Sequence, residues 1–158
     1  MTNISDCMKP NVVSITASAS IGQAAALFAV RHIGTLPVID STGRLVGLLT
    51  LRDLLALVMP DFVRLMEDFD FVHDFGAVET RRPSPETLSR PVREVMQPPI
   101  SVEQTCGLLR ASALLRHHDL LDLPIVNPDG RLVGIASRVD IGTALLASWR
   151  TTPEGGTP

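Results

Sequence analysis

At 158 residues the chain can bury one substantial core, or two small halves packed face to face, so it is one domain or one tandem. Its 14 basic and 17 acidic side chains give a net charge of −3, without the basic field that a nucleic-acid backbone requires, which argues against nucleic acid as a partner. Cys7 and Cys106 fall in neither a disulfide nor a metal-ligand spacing and read as small packing residues.

The elements follow in chain order. Met1 to Pro10 is polar and has no basic segment leading into an apolar one, so no secretory signal is expected. Val12 to Ile15 reads as a short strand. Ser18 or Ser20 then caps a helix whose apolar positions are Ile21, Ala24, Leu27, Phe28 and Ile33. A strand from Leu36 to Ile39 turns through Asp40-Ser41-Thr42-Gly43 into another from Leu45 to Leu49, and Thr50 opens a second helix. The most apolar run, Leu45 to Met59, is interrupted by Arg52-Asp53 and is too short to span a bilayer. A soluble, cytoplasmic protein with no membrane insertion is expected.

Phe62, Leu65, Met66, Phe69 and Val72 fall on one face of a helix, among Asp61, Glu67, Asp68 and Asp70. This predicts an acidic amphipathic helix, packed on its own domain or docking a partner. Arg81 to Arg90 reads as a linker. After it come a strand over Ile100 to Val102, a helix over Leu108, Ala111, Leu114 and Leu115, and a strand from Leu123 to Val126. The turn Asn127-Pro128-Asp129-Gly130, a strand from Leu132 to Ile135 and a helix from Ser137 complete the order. Thr151 to Pro158 is predicted to be a frayed tail.

The second half repeats the first. Leu36-Pro37-Val38-Ile39, Gly43-Arg44-Leu45-Val46-Gly47 and Thr50-Leu51-Arg52-Asp53 return 87 positions later as Leu123-Pro124-Ile125-Val126, Gly130-Arg131-Leu132-Val133-Gly134 and Ser137-Arg138-Val139-Asp140. Met8 and Pro10 return as Met96 and Pro98 at a spacing of 88, so one residue was lost before Ile100. Each unit is β-α-β-β-α. The boundaries are residues 1–60 for repeat 1, 61–91 for the helical insert and linker, 92–150 for repeat 2 and 151–158 for the tail. The central strands are almost continuously apolar, so both sheet faces must be covered, by helices on one side and the other repeat on the other. This predicts an α/β (α+β) sandwich of two repeats related by a pseudo-two-fold axis.

The chemistry concentrates where a strand ends and a helix begins, at Thr50-x-x-Asp53 and Ser137-x-x-Asp140. The unpaired N–H groups of a helix N-terminus attract anions, a hydroxyl there can bond phosphate, and a carboxylate one turn on can accept ribose hydroxyls. Arg52 and Arg138 add positive charge nearby. The same pattern is a capping box, in which the two side chains satisfy each other's backbone donors. Pattern alone leaves both readings open. His117, His118, Asp119 and Asp122 suit a helix C-terminus better than a metal ion. With no nucleophile elbow, metal cluster or Walker loop, an enzyme is not expected.

The doubled Met-x-Pro, Leu-Pro-Val-Ile-Asp and Gly-Arg-Leu-Val-Gly-Leu-Leu-Thr segments, each with its helix-opening Asp, resemble the tandem CBS domain, or Bateman module. The resemblance covers nearly the whole chain apart from the insert and tail. It implies a regulatory module that binds AMP, ADP, ATP or S-adenosylmethionine between its repeats, needs no cofactor, and forms a disc-shaped homodimer. With no catalytic domain attached, its effector protein is expected to be a separate chain. Carried over by motif, Asp53 and Asp140 hold ribose, and Thr50 and Ser137 face phosphate or ribose. Val13, Ser14 and Ile15 with Thr35, Leu36 and Pro37 wall adenine in a first site, and Ile100, Ser101 and Val102 with Asp122, Leu123 and Pro124 in a second. Thr35 corresponds to Asp122, whose charge opposes a polyphosphate. Site 1 is therefore expected to favour phosphate, and site 2 to be weaker, empty or suited to a cation. A scaffold docking its partner through the acidic insert is the alternative.

Overall fold

The computed structural model describes residues 2–59, 63 and 75–150. In the first repeat, β1 (Ile15–Thr16), α1 (Ile21–Arg31), β2 (Thr35–Ile39), β3 (Leu45–Thr50) and α2 (Leu51–Leu55) follow in order. A short α3 (Pro85–Ser89) precedes the second repeat, made of β4 (Val102–Glu103), α4 (Leu108–His117), β5 (Asp122–Val126), β6 (Leu132–Ser137) and α5 (Arg138–Ala147). Each repeat holds a three-stranded sheet, β1-β2-β3 or β4-β5-β6, with the first pair parallel and the second antiparallel. The predicted mixed α/β fold of two matched units is the fold observed.

Several boundaries differ from the expectation for physical reasons. The first strand is two residues long because its parallel ladder begins at Ile15↔Val38, one residue past Pro37, which has no N–H to donate. Pro124 limits β4 in the same way, with the ladder opening at Val102↔Ile125. Of the two serines, Ser20 is the cap: its oxygen accepts from Gln23 N at 3.1 Å while Gln23 Oε1 accepts from Ser20 N at 2.9 Å. The stretch read as a linker contains α3, capped by Ser84 with Pro85 in its first turn, a position where the missing N–H costs nothing. The predicted amphipathic helix from Phe62 to Val72 and the tail from Thr151 lie outside the described residues.

The hairpin turns explain how the repeats meet. Asp40 Oδ1 accepts from Thr42 N and Arg44 N at 2.8 and 3.1 Å, and Asn127 Oδ1 accepts from Asp129 N and Arg131 N at 3.0 Å each. Gly43 and Gly130 close these turns at φ +85° and +80°, a conformation that disfavours a Cβ. The turns then bond to each other, Leu45 N to Gly130 O at 3.0 Å and Leu132 N to Gly43 O at 3.1 Å. This reciprocal pair lies on the pseudo-two-fold axis.

The leading segment of each repeat packs on the other repeat. Ile4 is fully buried among Leu108, Ala111, Leu115, Leu123, Ile125 and Ile141, whereas Val92 is fully buried with Ala24, Phe28, Leu36, Val38 and Leu49. The backbone repeats the exchange: Ile4 N donates to Cys106 O at 2.9 Å and Val92 N to Ala19 O at 2.8 Å. Lys9 and Ile135 exchange two backbone bonds, as do Gln97 and Leu48. Each half is thus completed by chain from the other.

Candidate functional site

The crossing brings Lys9 to Ile135 and leaves Val12 and Val13 between the two repeats, Val13 still packed against the first core and both beside the end of β6. A cavity of about 290 Å³ opens there, lined among others by Lys9, Val13, Thr35, Asp122, Ser137 and Asp140. It draws on both repeats. Ser137 and Asp140 form a capping box at the start of α5, with Ser137 N donating to Asp140 Oδ2 at 2.9 Å and Asp140 N to Ser137 Oγ at 3.0 Å. Lys9 Nζ lies 3.4 Å from the same Oδ2. Asp140 Oδ1 receives no bond from the described residues, so the carboxylate retains acceptor capacity toward the cavity. Burial opposes ionisation of Asp140, but the Ser137 donors and Lys9 outweigh it and hold its pKa below the ordinary value.

Thr35 and Asp122, the matched pair that distinguishes the repeats, both line this cavity. Thr35 is 3% exposed, and its Oγ1 is the one buried side-chain oxygen among the described residues with no hydrogen-bond partner. An orphaned buried hydroxyl is costly, and a ligand atom is one way to satisfy it. Asp122 is half-buried. Desolvation raises its pKa, Asp140 adds to the rise, and the nearby Thr35 hydroxyl and Lys9 pull the other way. That hydroxyl falls short of a geometrically sound hydrogen bond to Asp122, so it counts as a weak dipolar contact.

The matched position in repeat 1 is closed. Asp53 Oδ2 accepts from Thr50 N and Thr50 Oγ1 at 2.8 Å, and Gln97 Nε2 donates to both Asp53 oxygens at 3.0 Å. Thr50 and Arg52 instead edge a smaller space of about 190 Å³ with Thr35, Asp119 and Leu121. There Arg52 pairs with Asp119, while Arg138 donates to Leu120 O at 2.8 Å and lies 4.0 Å from Asp119. Both guanidinium groups are therefore engaged by repeat 2.

The motif-based grouping is thus rearranged. Val13 lines a cavity with Ser137 and Asp140 rather than with Thr50 and Asp53, and Thr35, the ladder partner of Thr50, reaches that cavity as well. Ser14 is half-buried, and Ile15, Leu36, Pro37, Leu123 and Pro124 are buried, Leu36 and Leu123 completely. Ile100 packs against the second core. Ser101 and Val102 border a depression with Glu103 and Arg110, apart from Asp140. Lys9 and Gln97 were missed by sequence reasoning. Their signal was available: they are the middle residues of the two Met-x-Pro segments. A larger cavity, about 710 Å³ between α1, α2 and residues 81–88, is lined by apolar side chains with His32, Arg81 and Arg82 and has no carboxylate among the described residues of its lining.

This geometry can be set beside known proteins. The CBS domain pattern matches residues 4–60 and 92–147. The chain belongs to the CBS domain family. CBSX2, a chloroplastic CBS domain-containing protein of Arabidopsis thaliana, is 31% identical over 94% of this chain and 66% of its own length. The crystal structure of CBSX2 in complex with AMP superimposes at a TM-score of 0.69, covering 94% of this chain and 98% of that one at 30% identity. Uncharacterized protein MJ1404 of Methanocaldococcus jannaschii is 30% identical over 89% of this chain. The chain spans only 31% of MJ1404 and just under two thirds of full-length CBSX2. The CBS domain pair of MJ0100, solved with 5′-methylthioadenosine and S-adenosyl-L-methionine, shares the fold at 18% identity and a TM-score of 0.68. No helix among the described residues is long and apolar enough to cross a membrane.

Proposed function

We propose that this CBS pair is a non-catalytic regulatory module that binds an adenine nucleotide or S-adenosylmethionine in the cavity at Asp140 and signals its occupancy to a separate partner protein. The observation that carries the reading is the convergence, in one cavity, of the orphaned Thr35 hydroxyl and a capping Asp140 with an open oxygen. A ribose offers Asp140 two hydroxyl donors, and a ligand polar atom satisfies Thr35. Val13 supplies an apolar wall for the base. The AMP-bound state of the CBSX2 relative supports the same ligand class.

The signal follows from the architecture. The cavity is made by both repeats, so a ligand that binds one inter-repeat arrangement more tightly than another shifts the population by that differential affinity. Thermal melting with AMP, ADP, ATP, S-adenosylmethionine and GTP tests this. Stabilisation by adenine ligands at saturation, lost in Asp140→Ala, is expected; a ligand at 100 times Kd adds about 2.7 kcal/mol. Equal shifts in Asp140→Ala would place the ligand elsewhere.

A homodimer belongs to the same proposal. Leu51 and Leu55 on α2 and Val139 and Leu146 on α5 are large and exposed, as is Trp149 just beyond α5, and a second copy would cover them. The same surfaces favour the scaffold alternative. A folded protein that no adenine ligand stabilises would leave partner docking as the function.

A further inference from the structure

We propose that Asp122 is the specificity-determining residue of the Asp140 cavity, selecting adenosyl ligands whose 5′ substituent is neutral or cationic over those that end in a phosphate. The inference rests on the adenine-binding reading above and names its ligand class.

The charged side chains that line the cavity are Lys9, Asp122 and Asp140, with the imidazole of His32 on the same wall. Lys9 and Asp140 are paired at 3.4 Å, so the ammonium is already matched by a carboxylate. Asp122 has no cation within salt-bridge distance among the described residues, and its charge is the unmatched one. The arginines that would offset it face elsewhere: Arg52 pairs with Asp119, and Arg138 is bonded to Leu120 O. A terminal phosphate entering this cavity brings up to two negative charges toward a half-buried carboxylate that Lys9 offsets only from beyond ion-pair distance, where repulsion is stronger than in bulk water. A sulfonium or ammonium centre gains from the same field, and a neutral thioether or hydroxyl avoids it.

Size bears on the polyphosphates alone. A volume of about 290 Å³ lies at the small end of small-molecule sites, roughly 300–1,000 Å³, and leaves little room for a polyphosphate beside a nucleoside. The matched residue in repeat 1 is Thr35, so the duplication itself supplies the reverting substitution: Asp122→Thr gives both repeats the same neutral hydroxyl. Strand β5 accepts threonine well.

Calorimetric titration of adenosine, 5′-methylthioadenosine, S-adenosylmethionine and AMP into the wild-type protein, Asp122→Thr and the near-isosteric Asp122→Asn tests the assignment. Circular dichroism shows that each variant is folded. The wild type is expected to bind S-adenosylmethionine or 5′-methylthioadenosine more tightly than AMP. Both substitutions should move the AMP-to-adenosine affinity ratio toward AMP by about tenfold, which is about 1.4 kcal/mol. An unchanged ratio in both variants, with adenosine still bound, overturns the role of Asp122 and leaves the adenine site standing. Failure of every adenine ligand to bind the folded wild type overturns the adenine reading and this proposal together.

Discussion

Gln97 neutralises nothing at Asp53, since it donates to both carboxylate oxygens without carrying charge, whereas Lys9 brings an ammonium to the matched Asp140. The consequence for titration centres on Asp122, the remaining carboxylate of the cavity. Its folded pKa is raised, mainly by desolvation, above the ordinary 3.8 that it has in the unfolded chain. The folded state therefore holds the proton more tightly. Stability from this group is fully present below pH 3.8 and is lost as pH rises through the folded pKa, so ionised Asp122 costs stability at neutral pH. Asp122→Asn is expected to melt above the wild type at pH 7, with the gain shrinking on acidification and gone below the ordinary carboxylate range. Asp140 runs oppositely: its lowered pKa gives stability that is present above 3.8 and lost only as pH falls through the lower folded value. Melting curves of the two proteins from about pH 3 to 8 decide this, and a difference independent of pH would refute the assignment.

At the scale of elements, the Ser/Thr-x-x-Asp pattern was legible because a capping box is a local device, and both boxes form with the expected partners. Ser137→Ala should cost roughly 1 kcal/mol, within about 0.5–2 kcal/mol, read as a lower denaturation midpoint with an unchanged slope. Contacts between elements were less legible. Nothing in the patterns of β3 and β6 reveals that a Cβ on Gly47 would overlap Met96 Sδ, or that one on Gly134 would meet Met8 Sδ at 2.7 Å. These glycines seat the exchanged methionines. Gly47→Ala should destabilise by about 1–3 kcal/mol through overpacking. Combined with Met96→Ala it should cost less than the two single changes added, a coupling that a double-mutant cycle measures. The helix α3 was readable from Ser84-Pro85 but passed as a linker, since five residues are too few to show a period.

The whole molecule departs most from what the duplication suggested. Repeats found by matching residues read as two copies packed on each other, each keeping its own chain segments, and the β-α-β-β-α order and most strand positions follow from that match. The candidate site did not, because it lies where the leading segments cross, and sequence matching is blind to which copy a segment packs on. Ile4 and Val92 show the difficulty: they are equivalent in the fold, 88 positions apart, yet two different aliphatic residues in dissimilar surroundings carry no visible repeat.

Their exchange makes a prediction about cooperativity. Each side chain is wholly buried, and each belongs to the core of the opposite repeat. Replacing Ile4 by Ala should cost about 2–5 kcal/mol in the second core. If the repeats were independent, that loss would lower one melting transition and leave a second unmoved. Because Ile4 also bonds to Cys106 ahead of α4 and Lys9 to Ile135 in β6, while residues 91–97 bond to β3 and the approach to α1, neither core can open without releasing chain from the other. Ile4→Ala and Val92→Ala should therefore each lower one common midpoint, with calorimetric and van't Hoff enthalpies equal, as in a single two-state unit. Two resolved transitions in either variant would mean that the halves fold separately, and a ligand held between them would then have to signal by docking two stable bodies instead of shifting one.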